Sequence, residues 1–205
     1  MTEERNSKTT HMAAPEALDG STGASPCDCG TVSATEPIWE RETLVSGEWA
    51  PGKRLLRAIR DYQKAPRRKG ILASLRRITA VARHRFWSIV TGADIPLNSH
   101  IGGGLLIPHP NGIVIHPDVD IGPNCLIFQQ VTLGTRDTDS GVPTVGGHVD
   151  IGGGARVLGD IQLGEHAKIG ANAVVLTDVP AGATAIGIPA RIVPGQRLRT
   201  DEASG

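Results

Sequence analysis

This 205-residue sequence predicts an all-β solenoid of triangular section behind a short α-helical region, and three observations carry that reading. First, an aliphatic residue recurs every six positions, at Ile115, Ile121, Ile127, Leu133, Val145, Ile151, Val157, Leu163, Ile169 and Val175, with only Asp139 out of step. Second, a small or β-branched residue stands four places after most of these: Val119, Cys125, Val131, Val149, Ala155, Ile161, Ala167, Ala173 and Val179. Third, aromatic residues make up only 3% of a chain with 26 glycines. A period of six is neither the 3.6 of a helix nor the 2 of a strand, and it marks six-residue flat sides of a β-coil. Stacked aliphatic layers leave no room for rings, and sharp corners call for the positive φ that Gly and Asn adopt most readily.

Residues 1–37 hold almost no large apolar side chain, so burial cannot offset the entropy of ordering them, and a disordered segment is expected. Within it, Cys27-Asp28-Cys29 lacks the further ligands that zinc needs. Residues 38–91 form a linker, with Trp39 and Trp49, and a basic helical region. One helix is expected from about Lys53 to Lys64, with Leu55, Leu56 and Ile59 on one face, ending before Pro66. A second is expected from about Ile71 to Val90, with Leu72, Leu75, Ile78, Ala82, Phe86 and Ile89 at helical spacing and Gly92 as the stop. The coil domain occupies 92–193, and 194–205 read as a tail.

The coil starts in an earlier register, with Ile95, Ile101, Ile107 and Ile113. Two extra residues near His109-Pro110-Asn111-Gly112 shift it into the later ladder. A second break, Gly134 to Thr144, is polar and turn-rich and should project as a loop. Solenoids tend to place such irregularities on the binding face.

Formal net charge is zero, which gives no bulk attraction to nucleic acid or membrane. The balance is uneven, however: twelve of the 21 basic residues lie between Lys53 and Arg85, against the single acid Asp61. A solvated helix face, an anionic lipid or polymer such as a glycan, and an acidic partner are the readings left open for that cluster. No nucleic-acid-binding motif accompanies it. Of the three cysteines, Cys125 falls on a core position of the coil, so no disulfide framework emerges. No signal peptide and no apolar run of about 18 residues is present, and a cytoplasmic enzyme or scaffold is expected.

Because the coil core is apolar, reactive groups must come from corners and loops. His109 sits at the first break between two prolines, and Asp94 lies 15 residues earlier, close to one turn of three hexapeptides. Neighbouring coils stack about 4.8 Å apart. A carboxylate that fixes an imidazole's tautomer leaves the other nitrogen free to accept a proton, as a general base for an alcohol must. The bland alternative is a surface histidine beside a capping aspartate.

Particular motifs then carry a resemblance. Ile101-Gly102-Gly103-Gly104-Leu105-Leu106-Ile107-Pro108-His109, Asn111-Gly112-Ile113-Val114-Ile115, Gln130-Val131-Thr132-Leu133-Gly134, Ala155-Arg156-Val157-Leu158-Gly159-Asp160-Ile161 and Gly187-Ile188-Pro189-Ala190-Arg191-Ile192-Val193 are similar to the catalytic domain of serine acetyltransferases. About half the chain is covered. The resemblance implies a left-handed parallel β-helix, a homotrimer, and direct transfer of acetyl from acetyl-CoA to the hydroxyl of L-serine. It places the catalytic base on His109 and its orienting carboxylate on Asp94. It places the pantetheine track on Gly134, Thr135, Gly153 and Ala171, with Lys168 toward the CoA phosphates.

The departures lie on the acceptor side. Pro108 stands where the family has a serine-contacting Asp, Gly141-Val142-Pro143 where it has Arg-His-Pro, and the helical region is shorter. Asp61 is a weak stand-in for the family's acidic serine ligand, and His116 or His148 a candidate for the missing loop histidine. The expectation is an acetyl-CoA-dependent O-acetyltransferase without a metal, acting on L-serine or on a sugar, polysaccharide or metabolite hydroxyl. The competing classes are a zinc enzyme of the same fold, whose histidine spacing is missing here, and a silent trimeric scaffold.

Overall fold

A computed structural model describes residues 32–65, 70–137 and 141–193. Cys27, Cys29, the rest of the N-terminal segment to 31 and the C-terminal tail from 194 lie outside the described residues.

A 3₁₀ turn, Trp39–Glu42, leads into two helices, α1 (Pro51–Lys64) and α2 (Ile71–Thr91). Pro51 opens α1 at the position where its missing N–H costs nothing. Gly92 closes α2 in the left-handed conformation at φ +64°. Among the described residues the coil follows as thirteen short strands: β1 (His100–Ile101), β2 (Val114–Ile115), β3 (Asp120–Ile121), β4 (Leu126–Ile127), β5 (Thr132–Gly134), β6 (Thr144–Val145), β7 (Asp150–Ile151), β8 (Arg156–Leu158), β9 (Gln162–Leu163), β10 (Lys168–Ile169), β11 (Val174–Val175), β12 (Thr184–Ile186) and β13 (Arg191–Val193).

They stack as three faces, β2-β5-β8-β11, β1-β3-β6-β9 and β4-β7-β10-β12-β13, every pairing parallel except β12 with β13. Asp94 extends the first face by bridging Val114, and Leu106 the third by bridging Leu126. All ten rungs of the aliphatic ladder are buried, as are the earlier Ile95, Ile101, Ile107 and Ile113 and the nine small partners. Outward and inward side chains alternate within each two-residue strand, so one aliphatic residue per side fills the core.

Strand register measures both breaks. His100 pairs with Asp120, twenty residues on, so the first coil carries the two extra residues of the His109 loop. Asp120 pairs with Thr144, twenty-four residues on, and the surplus six are the second loop. Thereafter Thr144 meets Gln162 at the regular eighteen, and the last coil tightens to sixteen between Lys168 and Thr184.

Two features depart from expectation. Residues 32–37, assigned to the disordered segment, run along a corner of the coil. There the buried Asn124 donates from Nδ2 to the carbonyls of Ser33 and Glu36 (2.7 Å each), and its Oδ1 accepts from Ile38 N (2.8 Å). One polar side chain holds a segment with little apolar surface of its own. Asn124→Ala removes three buried hydrogen bonds and puts a Cβ-bearing residue without local polar compensation at φ +60°. A loss of about 2–4 kcal/mol in urea unfolding is expected.

The second departure is α2. Leu55, Leu56 and Ile59 of α1 are buried against the first coil, as their spacing suggests. The apolar stripe of α2 faces away, with Leu72, Leu75, Ile78, Phe86 and Ile89 all exposed, while Ala80, Thr91 and part of Trp87 turn inward.

Candidate active site

The three corners of the prism sort the candidate residues. His109, Gly153 and Ala171 lie at the corner between the third face and the first, where Gln130, Gly154 and Asn172 also turn. Lys168 leads into that corner from β10, exposed between its register partners Asp150 and Thr184. Gly134 and Thr135 lie at the next corner, between the first and second faces, where β5 ends and the long loop departs.

The His109 loop is held by its backbone. Gly112 N donates to Gly92 O (3.0 Å), and Ile113 N to Pro110 O (3.3 Å). Gly112 turns at φ +68°, and a Cβ there would also press on Gln130 Cγ at 3.2 Å, so glycine is required on two counts. Two flanking prolines and this turn project the imidazole outward, and His109 is exposed.

Asp94 is placed on the same edge. Its N donates to Ile113 O (2.8 Å) and its O accepts from Ile115 N (2.9 Å), which locks the aspartate beside the strand that leaves the His109 loop. Its carboxylate is exposed, and no hydrogen bond joins it to His109 among the described residues. Catalytic bonds of this kind commonly tighten only in the complex with substrate.

His116 stands under Gly134, the Cβ that would replace a Gly134 hydrogen lying 3.9 Å from His116 Cβ, so it is at the root of the long loop. His148 sits at the third corner, at φ +53°, its Nδ1 2.8 Å from Nδ1 of His166 one coil on. Burial lowers its proton affinity, which Asp150 partly restores and His166 lowers again. In one chain, neither histidine shares the corner of His109.

Asp61 is engaged elsewhere: Arg83 of α2 pairs with it across the cleft between the helices. Cys125 is inert, its thiol pushed up to about 11 by burial and 3.2 Å from Gly146 O. Among the described residues, no group of three or more His, Cys, Asp or Glu side chains could hold a metal ion.

One imidazole–carboxylate pair escaped sequence reasoning. His100 Nδ1 and Asp120 Oδ1 are 3.0 Å apart, one lengthened coil from each other, both well exposed on the second face. Adding the two inserted residues to a regular turn would have found it. So exposed a pair contributes little.

An exposed histidine at a loop between coils, beside a small-residue corner, is an arrangement that suits the hexapeptide acyltransferase class, and the fold is its left-handed parallel β-helix. No family model matches the sequence. Among individual proteins, the serine acetyltransferase of Synechococcus elongatus is 44% identical over 115 residues, 55% of this chain and 47% of that protein. The Helicobacter pylori (strain 26695) enzyme is 42% identical over 106 residues, 51% of this chain and 62% of the relative. In three dimensions, a serine acetyltransferase in complex with CoA superposes with a TM-score of 0.57 at 38% identity, over 70% of this chain and 57% of that one. The Vibrio cholerae enzyme gives 0.61 at 33%, over 73% and 56%. The chain thus spans about half the length of the first curated relatives it matches. Across that shared region it is a relative of the serine acetyltransferases, in sequence and in fold.

Proposed function

We propose that the protein is an acetyl-CoA-dependent O-acetyltransferase in which His109 is the general base. The observation that carries this reading is the shared corner: an outward-projecting His109, the small Gly153 and Ala171 on later coils, and the exposed Lys168 beside them. His109 removes the proton from the acceptor hydroxyl as its oxygen attacks the thioester carbonyl. The tetrahedral intermediate collapses with loss of the CoA thiolate, which leaves with a proton. No acyl-enzyme is needed. Gly134 and Thr135 stand at a different corner of the same chain, so a pantetheine arm that touches both sets must lie between two chains. That supports a homotrimer.

L-serine is the acceptor that the relatives' names support. The second reading, a sugar or metabolite hydroxyl, is favoured by Pro108 in place of an acidic side chain and by the pairing of Asp61 with Arg83. A cytoplasmic setting, where acetyl-CoA is available, accords with either acceptor.

Thiol release from acetyl-CoA, measured against L-serine and a panel of sugars and hydroxylated metabolites, tests the reading. Turnover with one acceptor is expected; no turnover together with no binding of acetyl-CoA leaves only a scaffold. In the same assay Asp94→Asn should reduce kcat less than loss of His109 does. The loss should fall on kcat and leave KM for acetyl-CoA little changed, because the carboxylate acts only by orienting the base. A loss equal to that of His109→Ala in a folded variant, or one that falls on KM, would remove Asp94 from the positioning role.

A further inference from the structure

We propose that α2 is a membrane-surface helix that lies flat on anionic lipid with its apolar stripe in the interface. Over 21 residues, a length of about 31 Å, one side of the helix carries Ile71, Leu72, Leu75, Ile78, Phe86 and Ile89. All of them are more than half exposed, and the two ends are the most exposed, Ile71 at 87% and Ile89 at 82%. The buried side of α2 rests on α1 through Ala80 and Trp87, so the stripe has no partner among the described residues. Contiguous apolar surface on this scale marks a binding face.

Charge selects the occupant. α2 contains Arg76, Arg77, Arg83 and Arg85 and no acidic residue, and α1 adds five cations to its single Asp61. Arg85 lies within the stripe, four residues before Ile89 and seven after Ile78 on the same side of the helix. There its stem can lie along apolar surface while its head reaches a phosphate. A two-fold pairing with a second copy would set four arginines against four with no carboxylate from either helix, an unfavourable juxtaposition. Residues 1–31 are poorly suited to cover the stripe, since Leu18, Met1 and Met12 are their only large aliphatic side chains. A leaflet rich in anionic headgroups satisfies both the apolar stripe and the cations. No described helix is long and apolar enough to cross a membrane, so the contact is interfacial.

The test is co-sedimentation of the full chain with phosphatidylcholine vesicles, with and without one-third phosphatidylglycerol, at low and high salt. Binding is expected only to the anionic vesicles and should fall with salt. Leu75→Glu combined with Ile78→Glu, at exposed positions that leave the core untouched, should weaken it by at least about tenfold. Circular dichroism checks that the double variant is folded. A wild-type chain that stays in the supernatant with every vesicle, or binds both compositions equally, overturns the proposal. So does sedimentation velocity showing an assembly that the double variant halves in mass without any lipid binding, which would give the stripe to a second copy.

Discussion

His109→Ala is expected to lower acetyl transfer by about 10²- to 10⁴-fold at saturating substrate, the contribution of a positioned general base. The loss should fall on kcat, with affinity for acetyl-CoA little changed, because in the proposed arrangement the corner and not the imidazole holds the thioester. The fold should survive. His109 is exposed, its loop is fixed by backbone hydrogen bonds from Gly112 and Ile113, and its side chain contributes nothing to the aliphatic ladder. His100→Ala is the matched control: it removes an exposed imidazole that already has a carboxylate partner, on the face away from the His109 corner. A His109 variant with full turnover, or a His100 variant with the same loss, would move the base elsewhere.

Glu42→Ala carries the largest expected effect on stability. The Glu42 carboxylate accepts from Arg60 Nε (3.2 Å) and Nη2 (2.9 Å), and its Oε1 also accepts from Gly104 N (2.8 Å) and Leu105 N (3.2 Å). Arg60 in turn donates to the carbonyls of Ile101 and Gly102. Both side chains are nearly buried, at 10% and 12% exposure. Truncating the acid therefore strands a guanidinium and two backbone N–H groups away from water. Breaking one half of such a buried pair costs about 3–5 kcal/mol. For a chain of this size that is a fall in melting temperature on the order of 10 °C. The pair with both charges removed, Glu42→Gln with Arg60→Met, should recover part of the loss. A double variant no better than Glu42→Ala would mean that the ion pair is not the source.

Much of the architecture was legible because a solenoid repeats its local instructions. Each buried rung obeys the same rule as its neighbour, so a period counted along the sequence became a layer in space. The breaks in that period could be located to within a few residues, and strand register then gave their sizes. What could not be read were contacts without a period. Asn124 meets Ser33 across ninety-one positions, and Glu42 meets Gly104 across sixty-two, and nothing in local spacing announces either. The helical spacing of α2 was equally plain, yet a hydrophobic pattern says which residues share a side and not whether that side is covered. For the candidate site, position was legible and pairing was not. His109 and Asp94 fall on one edge as their spacing suggests, yet no hydrogen bond joins them, whereas His84, His100, His116, His148 and His166 all have hydrogen-bond partners among the described residues.

The two ends of the coil are finished differently, and this gives the molecule a direction. At the N-terminal end, Leu55, Leu56 and Ile59 plug the open layer, and the Glu42–Arg60 pair rivets that plug to the first turn. At the other end, among the described residues, the stack finishes in a single antiparallel strand, β13, whose three residues are all exposed. In a linear array each layer is stabilised chiefly by its neighbours, so opening starts where the terminal layer is least supported. Unwinding should therefore begin at the C-terminal end and travel toward the helices. The His109 loop, in the first coil, would be among the last parts to come undone.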